Sequence, residues 1–66
     1  MLLKINGKSE ESQAQTVLDL LKAKSIDPHM VAVELNANMI ERDQLATTPI
    51  KDGDALEFLF YMGGGR

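Results

Sequence analysis

The apolar segment 55–62 runs directly into three glycines and a final arginine. A short apolar run rich in aromatic residues, like this one, is typical of a β-strand that contributes to a core. Glycine has no Cβ, so a run of three loses much entropy on ordering and lets another surface approach the backbone closely. We therefore expect a single domain over residues 1–62 and a flexible tail over residues 63–66, which a partner protein threads into a narrow channel.

Size and composition argue against several classes of protein. The chain has 66 residues, no cysteine, one histidine and a formal net charge of −3. Without cysteine it forms no disulfide or thiolate metal site, and its scattered basic residues offer no cluster to neutralise phosphates. No apolar stretch approaches the ~18–20 residues that span a bilayer, and no signal peptide is recognisable. We expect a cytoplasmic protein, monomeric on its own, that binds neither nucleic acid nor membrane and holds no metal or cofactor.

A β-hairpin is predicted at the start of the chain. Residues 2–6 alternate between apolar and polar, and Asn6-Gly7 is typical of a type I′ turn, whose two central residues both need positive φ. Residues 8–13 are polar and suit an antiparallel partner strand at a solvated sheet edge. The hairpin therefore presents one apolar strand to a core and one polar strand to water.

The clearest helix is predicted over residues 16–24. Thr16 is a suitable N-cap, and Asp19 places a carboxylate near the positive end of the helix dipole. Apolar side chains at i, i+3 and i+4, continued by Lys24, form a stripe that faces a core. The residue before Pro28 disfavours the helical region, so the helix ends ahead of that proline.

A second hairpin is predicted after the helix. Residues 31–36 alternate and are β-branched at their start, which favours a strand. A tight turn follows over 36–38, because asparagine tolerates the αL conformation. Residues 39–41 are then expected to form a short return strand.

The pattern between the second hairpin and the final strand is less regular. Residues 42–48 predict a helical turn around Leu45, and Pro49-Ile50 is expected at a sheet edge. Residues 51–54 combine glycine with aspartate and predict a turn that leads into the final strand.

The order of these elements predicts the fold class. Two tightly joined strands, one helix and further strands form a small sheet packed on a single helix. A right-handed crossover that leaves the C-terminal strand in the centre gives a β-grasp. We therefore expect an α+β protein, a mixed sheet of four to five strands on one main helix. The residues assigned to its core are Leu3, Ile5, Val17, Leu20, Leu21, Val31, Val33, Leu56, Phe58 and Phe60.

The face of the final strand that points away from the helix is the candidate interaction site. Alternation places Leu59 and Tyr61 on this face, which a single helix leaves uncovered. Apolar and aromatic side chains beside the tail predict a docking surface made of Leu59, Tyr61 and Met62. Two alternatives remain: Leu59 and Tyr61 are ordinary surface residues, or they cover a second small core formed by residues 39–50.

No catalytic set is recognisable. His29 follows a proline in a loop and is expected at the surface. Glu10-Glu11 suits a solvated edge, and Asp52 and Asp54 suit a turn, rather than a paired acid and base. The chain also lacks a Ser/His/Asp or Cys/His combination, so we do not expect an enzyme.

Taken in order, the motifs of this chain resemble those of the ThiS family of ubiquitin-like sulfur carriers. The resemblance covers nearly the whole chain, and the order and spacing of its parts together with the near-terminal glycines are specific to this group. Its parts are Leu3-Lys4-Ile5-Asn6-Gly7-Lys8, residues 15–21, Val31-Ala32-Val33-Glu34-Leu35-Asn36, residues 40–42, Lys51-Asp52-Gly53-Asp54, and residues 56–65.

The resemblance implies a carrier that is loaded by one enzyme and unloaded by another. A ThiF-type adenylating enzyme uses ATP and Mg to convert the terminal glycine carboxylate into an acyl-adenylate. A persulfide sulfur then displaces AMP, and a ThiG-type thiazole synthase takes the sulfur from the resulting thiocarboxylate for thiamine. On this sequence the loaded position is Gly65, Gly63 and Gly64 thread the channel, and Leu59 faces the adenylating enzyme.

Arg66 departs from the family pattern, because it leaves Gly65 with an amide in place of a carboxylate. A peptidase removes it, or it is a remnant of cloning, or the protein is not a sulfur carrier. Two alternative functions also remain open. One is the same chemistry for molybdopterin or another sulfur-containing product, and the other is a ubiquitin-like interaction module that is never acylated.

Overall fold

The computed structural model of the protein describes residues 1–61. One five-stranded mixed sheet has the strand order β2-β1-β5-β3-β4, with the final strand in the centre. That strand is parallel to β1 and antiparallel to β3, and one helix packs on the sheet, so the β-grasp prediction is confirmed. The elements are β1 Leu2–Ile5, β2 Lys8–Glu11, α1 Val17–Ala23, β3 Val31–Leu35, β4 Asn38–Ile40 and β5 Ala55–Phe60, with 3-10 helices at Pro28–Met30 and Arg42–Gln44.

The first hairpin forms as predicted. Asn6 has φ 49° and Gly7 has φ 83°, as a type I′ turn requires. The register pairs Leu3 with Glu10 and Ile5 with Lys8. β2 is an edge strand of the sheet that residues 1–61 form, which explains why its polar sequence is tolerated.

The helix α1 is capped as predicted but is shorter than expected at its end. The Thr16 hydroxyl accepts a hydrogen bond from the Asp19 backbone at 3.1 Å. The prediction that Lys24 continues the buried stripe is wrong, because the helix ends at Ala23 and Lys24 is its C-cap. The Lys24 ammonium instead bonds the Glu10 carboxylate at 2.7 Å, and the next residue leaves the helix with φ 59°.

The core lies between α1 and one face of the sheet, and it contains nine of the ten residues assigned to it from sequence. Leu45 and Ile50, which belong to the irregular segment, complete it at 3% and 6% exposure. These two residues share one cluster with the helix and strands, so the alternative of a second small core under Leu59 and Tyr61 is wrong. The buried apolar residues are Leu3, Ile5, Val17, Leu20, Leu21, Val31, Val33, Leu45, Ile50, Leu56 and Phe58.

Phe60 is the residue wrongly assigned to the core. Its side chain is 56% exposed, although alternation places it on the helix side of β5. β1 ends at Ile5, opposite Leu56, so none of the described strands lies beside Phe60 on that side. A seven-residue helix is also only about 10 Å long and does not reach the end of a six-residue strand of about 20 Å.

The prediction that Pro49 and Ile50 lie at a sheet edge is wrong. Pro49 forms an isolated bridge with Thr16, ahead of the helix. The Ile50 N–H donates to the Gln15 carbonyl at 3.0 Å, and the Val17 N–H donates to the Thr48 carbonyl at 3.0 Å. Proline is tolerated here because neither of these two hydrogen bonds requires an N–H at residue 49. The pairing places Ile50 beneath the start of α1.

The second hairpin turns through two residues with positive φ. Asn36 at 51° was expected, whereas Ala37 at 71° was not, because alanine rarely adopts this conformation. We expect Ala37→Gly to stabilise the domain by about 0.5 kcal/mol, since relief of αL strain exceeds the added flexibility of the unfolded chain. Thermal or urea unfolding measures the gain. Ala46→Gly, at a position without positive φ, serves as control and should not stabilise.

Candidate functional site

The candidate site is the end of β5, and the fold holds this strand from both sides. β3 pairs with it along its whole length, from Leu35 opposite Leu56 to Val31 opposite Phe60. The Tyr61 N–H adds one further hydrogen bond, to the Met30 carbonyl at 3.1 Å. The backbone is therefore fixed up to the last residue that the structure describes.

The Asn6 side chain holds β5 on its other side, beyond the point where β1 ends. Its Oδ1 accepts from the Phe58 N–H at 2.7 Å, and its Nδ2 donates to the Phe58 carbonyl at 3.4 Å. An amide side chain thus takes the place of the next residue of β1. The sequence marked Asn6 only as a turn residue, so this positioning role was missed.

We expect Asn6→Gly to destabilise the domain by about 1–3 kcal/mol. Glycine keeps the positive φ of the turn but leaves the partly buried Phe58 amide group without a partner. Urea unfolding measures the loss, and amide hydrogen exchange at Phe58 should accelerate. Asn6→Asp retains an acceptor for the Phe58 N–H and should lose less. Equal losses in the two variants would contradict the assigned hydrogen bond.

A second polar clamp fixes the beginning of β5. The Asp54 carboxylate is buried, with one oxygen accepting from the Asn36 side chain at 3.0 Å and the other from the Lys51 N–H at 2.8 Å. The Asn36 Oδ1 in turn accepts from the Ala55 N–H at 3.0 Å. The sequence interpretation of Asp54 as a turn residue is correct, but its link to the second hairpin was not predicted.

The sheet face opposite α1 is called here the open face. Leu59 and Tyr61 lie on it and are 48% and 52% exposed, as the alternation of β5 predicted. Ala32 lies directly opposite Leu59, and Met39 on β4 is 54% exposed on the same face. Together Ala32, Met39, Leu59 and Tyr61 form an apolar patch near the end of β5, with Met39 at its margin, opposite Glu34.

A shallow pocket of about 210 Å³ opens beside Tyr61, where β4 ends opposite Val33 and leaves the start of β3 without a partner strand among the described residues. Its walls include Val31, Ile40 and Leu45, with Arg42 contributing a charged side chain. The volume is below the roughly 300–1,000 Å³ typical of small-molecule sites, so we do not assign it a substrate.

The predicted tail residues fall largely outside the part of the chain that can be described. Met62, Gly63, Gly64 and Gly65 lie beyond residue 61, as does Arg66. Of the proposed docking set, Leu59 and Tyr61 are described and exposed, and their role as a docking surface stays a prediction. Phe60 is also exposed, beside Leu59 and Tyr61, although the alternation of the sequence had assigned it to the core.

The titratable residues considered as catalytic candidates from the sequence do not come together in one site among residues 1–61. His29 is exposed at the surface, as predicted, and the hydrogen bond from its backbone N–H, followed by that from its side chain, lowers the pKa of Asp27. Glu10 pairs with Lys24, and Glu11 pairs with the N-terminal ammonium. Within residues 1–61 no group of three or more His, Asp or Glu side chains is placed to hold a metal ion.

Among these described residues, no helix has the length and apolar character needed to cross a membrane.

A five-stranded mixed sheet with its last described strand in the centre, packed on one helix, defines the β-grasp class of ubiquitin-like proteins. Comparison with known proteins places the chain within that class. The sequence model of the ThiS family matches residues 2–65, and the chain belongs to this family.

Two named proteins are similar to nearly the whole of this chain. A sulfur carrier protein ThiS from Bacillus subtilis is 29% identical over 66 residues, covering 97% of this chain and all of that protein. A thiazole synthase from Paramagnetospirillum magneticum is 38% identical over 66 residues, covering 98% of this chain but only 20% of that protein. The chain therefore corresponds to about a fifth of that synthase.

Solved structures of a thiamine biosynthesis protein (ThiS) from Geobacter metallireducens have the same fold. Its crystal structure is 42% identical, covers 98% of this chain and 100% of that chain, and superimposes with a TM-score of 0.84. Its solution NMR structure is 41% identical, covers 100% and 90%, and gives a TM-score of 0.80.

Proposed function

We propose that this chain is a sulfur carrier in thiamine biosynthesis, and that the C-terminal carboxylate of Gly65 is the group that carries the sulfur. Membership of the ThiS family is the observation that carries the proposal. The geometry supports it, because a firmly held β5 leads directly to the glycines. The folded domain is the part that the partner enzyme binds, and the segment after Tyr61 is the part that enters its active site.

The chemistry requires activation before sulfur transfer, because a carboxylate is a poor electrophile. A carboxylate oxygen of Gly65 attacks the α-phosphorus of ATP, which releases pyrophosphate and forms a mixed anhydride with AMP. A persulfide sulfur then attacks the Gly65 carbonyl carbon, and AMP leaves. Reductive cleavage of the sulfur–sulfur bond by a thiol leaves the thiocarboxylate, which donates its sulfur to the thiazole ring.

The catalytic groups and the Mg-ATP belong to the partner enzymes in this proposal. The chain supplies the glycine terminus and a surface that positions it, and it needs no resident cofactor. Gly63 and Gly64 pass through a channel that a Cβ would obstruct. Leu59, Tyr61 and Met62 contact the enzyme beside the entrance, since a few well-packed residues give most of the binding energy of an interface.

Two partner enzymes follow from this function. One is a ThiF-type adenylating enzyme, and the other is a ThiG-type thiazole synthase. The second is supported by the Paramagnetospirillum magneticum thiazole synthase, in which a segment similar to this chain is part of the same polypeptide. Covalent linkage of two proteins is one way to raise their effective concentration for a transfer step.

Arg66 must be absent from the active form. With the arginine attached, the Gly65 carbonyl belongs to an amide, and its side chain would have to pass the glycine channel. Removal by a peptidase exposes the required carboxylate in one hydrolytic step.

Intact-mass spectrometry of the protein isolated from its native host tests the function directly. We expect the mass of a chain ending at Gly65, together with a second species in which one oxygen is replaced by sulfur. Depletion of thiazole synthase should increase the sulfur-bearing species. A chain that never loses Arg66 and never gains sulfur would contradict the proposal. Co-purification with a molybdopterin synthase subunit would assign the carrier to that pathway.

A further inference from the structure

Two carboxylates lie opposite each other on the open face, and the ion pairs formed within residues 1–61 include neither of them. Glu34 and Glu57 are directly opposite in the antiparallel pair of β3 and β5. In such pairs the Cβ atoms are only about 5 Å apart, and like charges destabilise the sheet. Among residues 1–61 neither carboxylate has a cation within ion-pair distance. Lys4 is the cation that the register places on this face, but it lies opposite Ala55, one step diagonal from Glu57.

The acidic pair adjoins the apolar patch. Glu57 and Leu59 are two residues apart on β5, and the facing residues Glu34 and Ala32 are two apart on β3. The two rungs are therefore about 7 Å apart along the strands. A protein that covers the rung of Leu59 and Ala32 also covers or borders the rung of Glu34 and Glu57.

Covering these carboxylates without compensation is unfavourable, because a buried charge needs a partner of opposite sign. An arginine is the side chain best suited to this position, since its planar guanidinium donates to two carboxylates at once. The same interaction removes the repulsion within the pair.

We propose that Glu34 and Glu57 form a receptor for one basic side chain, an arginine or a lysine, of the enzyme that docks on the open face. This inference rests on the proposed function, and it specifies the partner surface as an apolar patch with one cation beside it. The repulsion between the two carboxylates is retained in the free domain and is relieved in the complex.

The first test measures binding of a chain ending at Gly65 to its adenylating enzyme by calorimetry at two salt concentrations. We expect Glu34→Gln and Glu57→Gln each to weaken binding by about tenfold and to reduce its dependence on salt. Asp19→Asn removes the same charge from α1, on the opposite layer, and should bind as the unmodified chain does. Unchanged affinity and salt dependence in the double variant would overturn the proposal.

The second test needs no partner. The melting temperature of Glu57→Gln at low salt should exceed that of the unmodified domain by about 2–4 °C, and the gain should vanish at high salt. A lack of this gain would overturn the claim that the pair is unneutralised. The result also shows that weaker binding does not come from unfolding.

Two further outcomes separate this inference from the proposed function. If the chain ending at Gly65 is adenylated normally while the double variant binds equally well, only the charge receptor is wrong. If that chain neither binds nor reacts, the proposed function is wrong, and the receptor as assigned to this enzyme is wrong with it.

If sedimentation shows a dimer that the double variant disrupts, a second copy occupies the open face, and the inference is overturned in favour of self-association.

Discussion

A chain ending at Gly65 should be adenylated by its partner enzyme, whereas the chain that retains Arg66 should react at least about 100-fold more slowly. The reason is chemical as well as steric. Only a free carboxylate attacks ATP, and in the longer chain the free carboxylate belongs to arginine and lies one residue beyond the required position. Pyrophosphate release measures the rate, and intact-mass spectrometry identifies the acylated residue.

Arg66→Gly separates the two reasons. This variant has the length of the longer chain but no side chain that obstructs a channel. If it reacts as well as the chain ending at Gly65, the width of the channel is decisive. If it is as slow as the Arg66 form, the position of the carboxylate is decisive. Equal rates for the Arg66 form and the chain ending at Gly65 would contradict the assignment of Gly65. Unfolding curves of all three chains should coincide, because the buried residues that the structure describes all lie between Leu3 and Phe58.

The strands and the helix were predictable because their signals are local. The type I′ turn at Asn6 and Gly7 depends on two adjacent residues, and the start of α1 depends on Thr16 and the apolar stripe after it. The fold class then follows from the order of the elements. The wrong predictions concern residues whose local pattern is correct but whose burial depends on how far neighbouring elements extend. Phe60 alternates as a core residue, yet neither the helix nor β1 extends far enough to cover it.

The residues that position the candidate site could not be found from local patterns. Asn6 bonds the backbone of Phe58, which is 52 positions away, and Asn36 bonds Asp54, which is 18 positions away. Such contacts depend on the sheet register, which the sequence leaves undetermined. The same is true of Glu34 and Glu57, which become neighbours only when β3 and β5 pair. The exposure of Leu59 could be predicted without the register, because it follows from the alternation of β5 and from a single helix covering one face of the sheet.

Leu59→Ala should weaken binding to the adenylating enzyme by about 30-fold, equivalent to ~2 kcal/mol, and should leave stability nearly unchanged. Leu59 is half exposed in the free domain, so truncation creates no cavity in the core. In the proposed complex the partner covers the apolar patch that contains this side chain, so its truncation removes buried apolar contact. Calorimetric titration of the chain ending at Gly65 measures the affinity, and urea unfolding measures the stability.

Leu2→Ala is the matched control, because Leu2 is exposed to a similar extent, 51% compared with 48% for Leu59. It lies on the open face of β1, but the parallel pairing of Lys4 with Ala55 places it towards the start of β5. The two leucines are thus roughly 20 Å apart along the strand direction, and only Leu59 lies near the tail. An interface centred on the tail predicts a large loss for Leu59→Ala and almost none for Leu2→Ala. Similar losses for both would mean that the enzyme covers the whole sheet, and no loss for either would mean that the open face does not bind it.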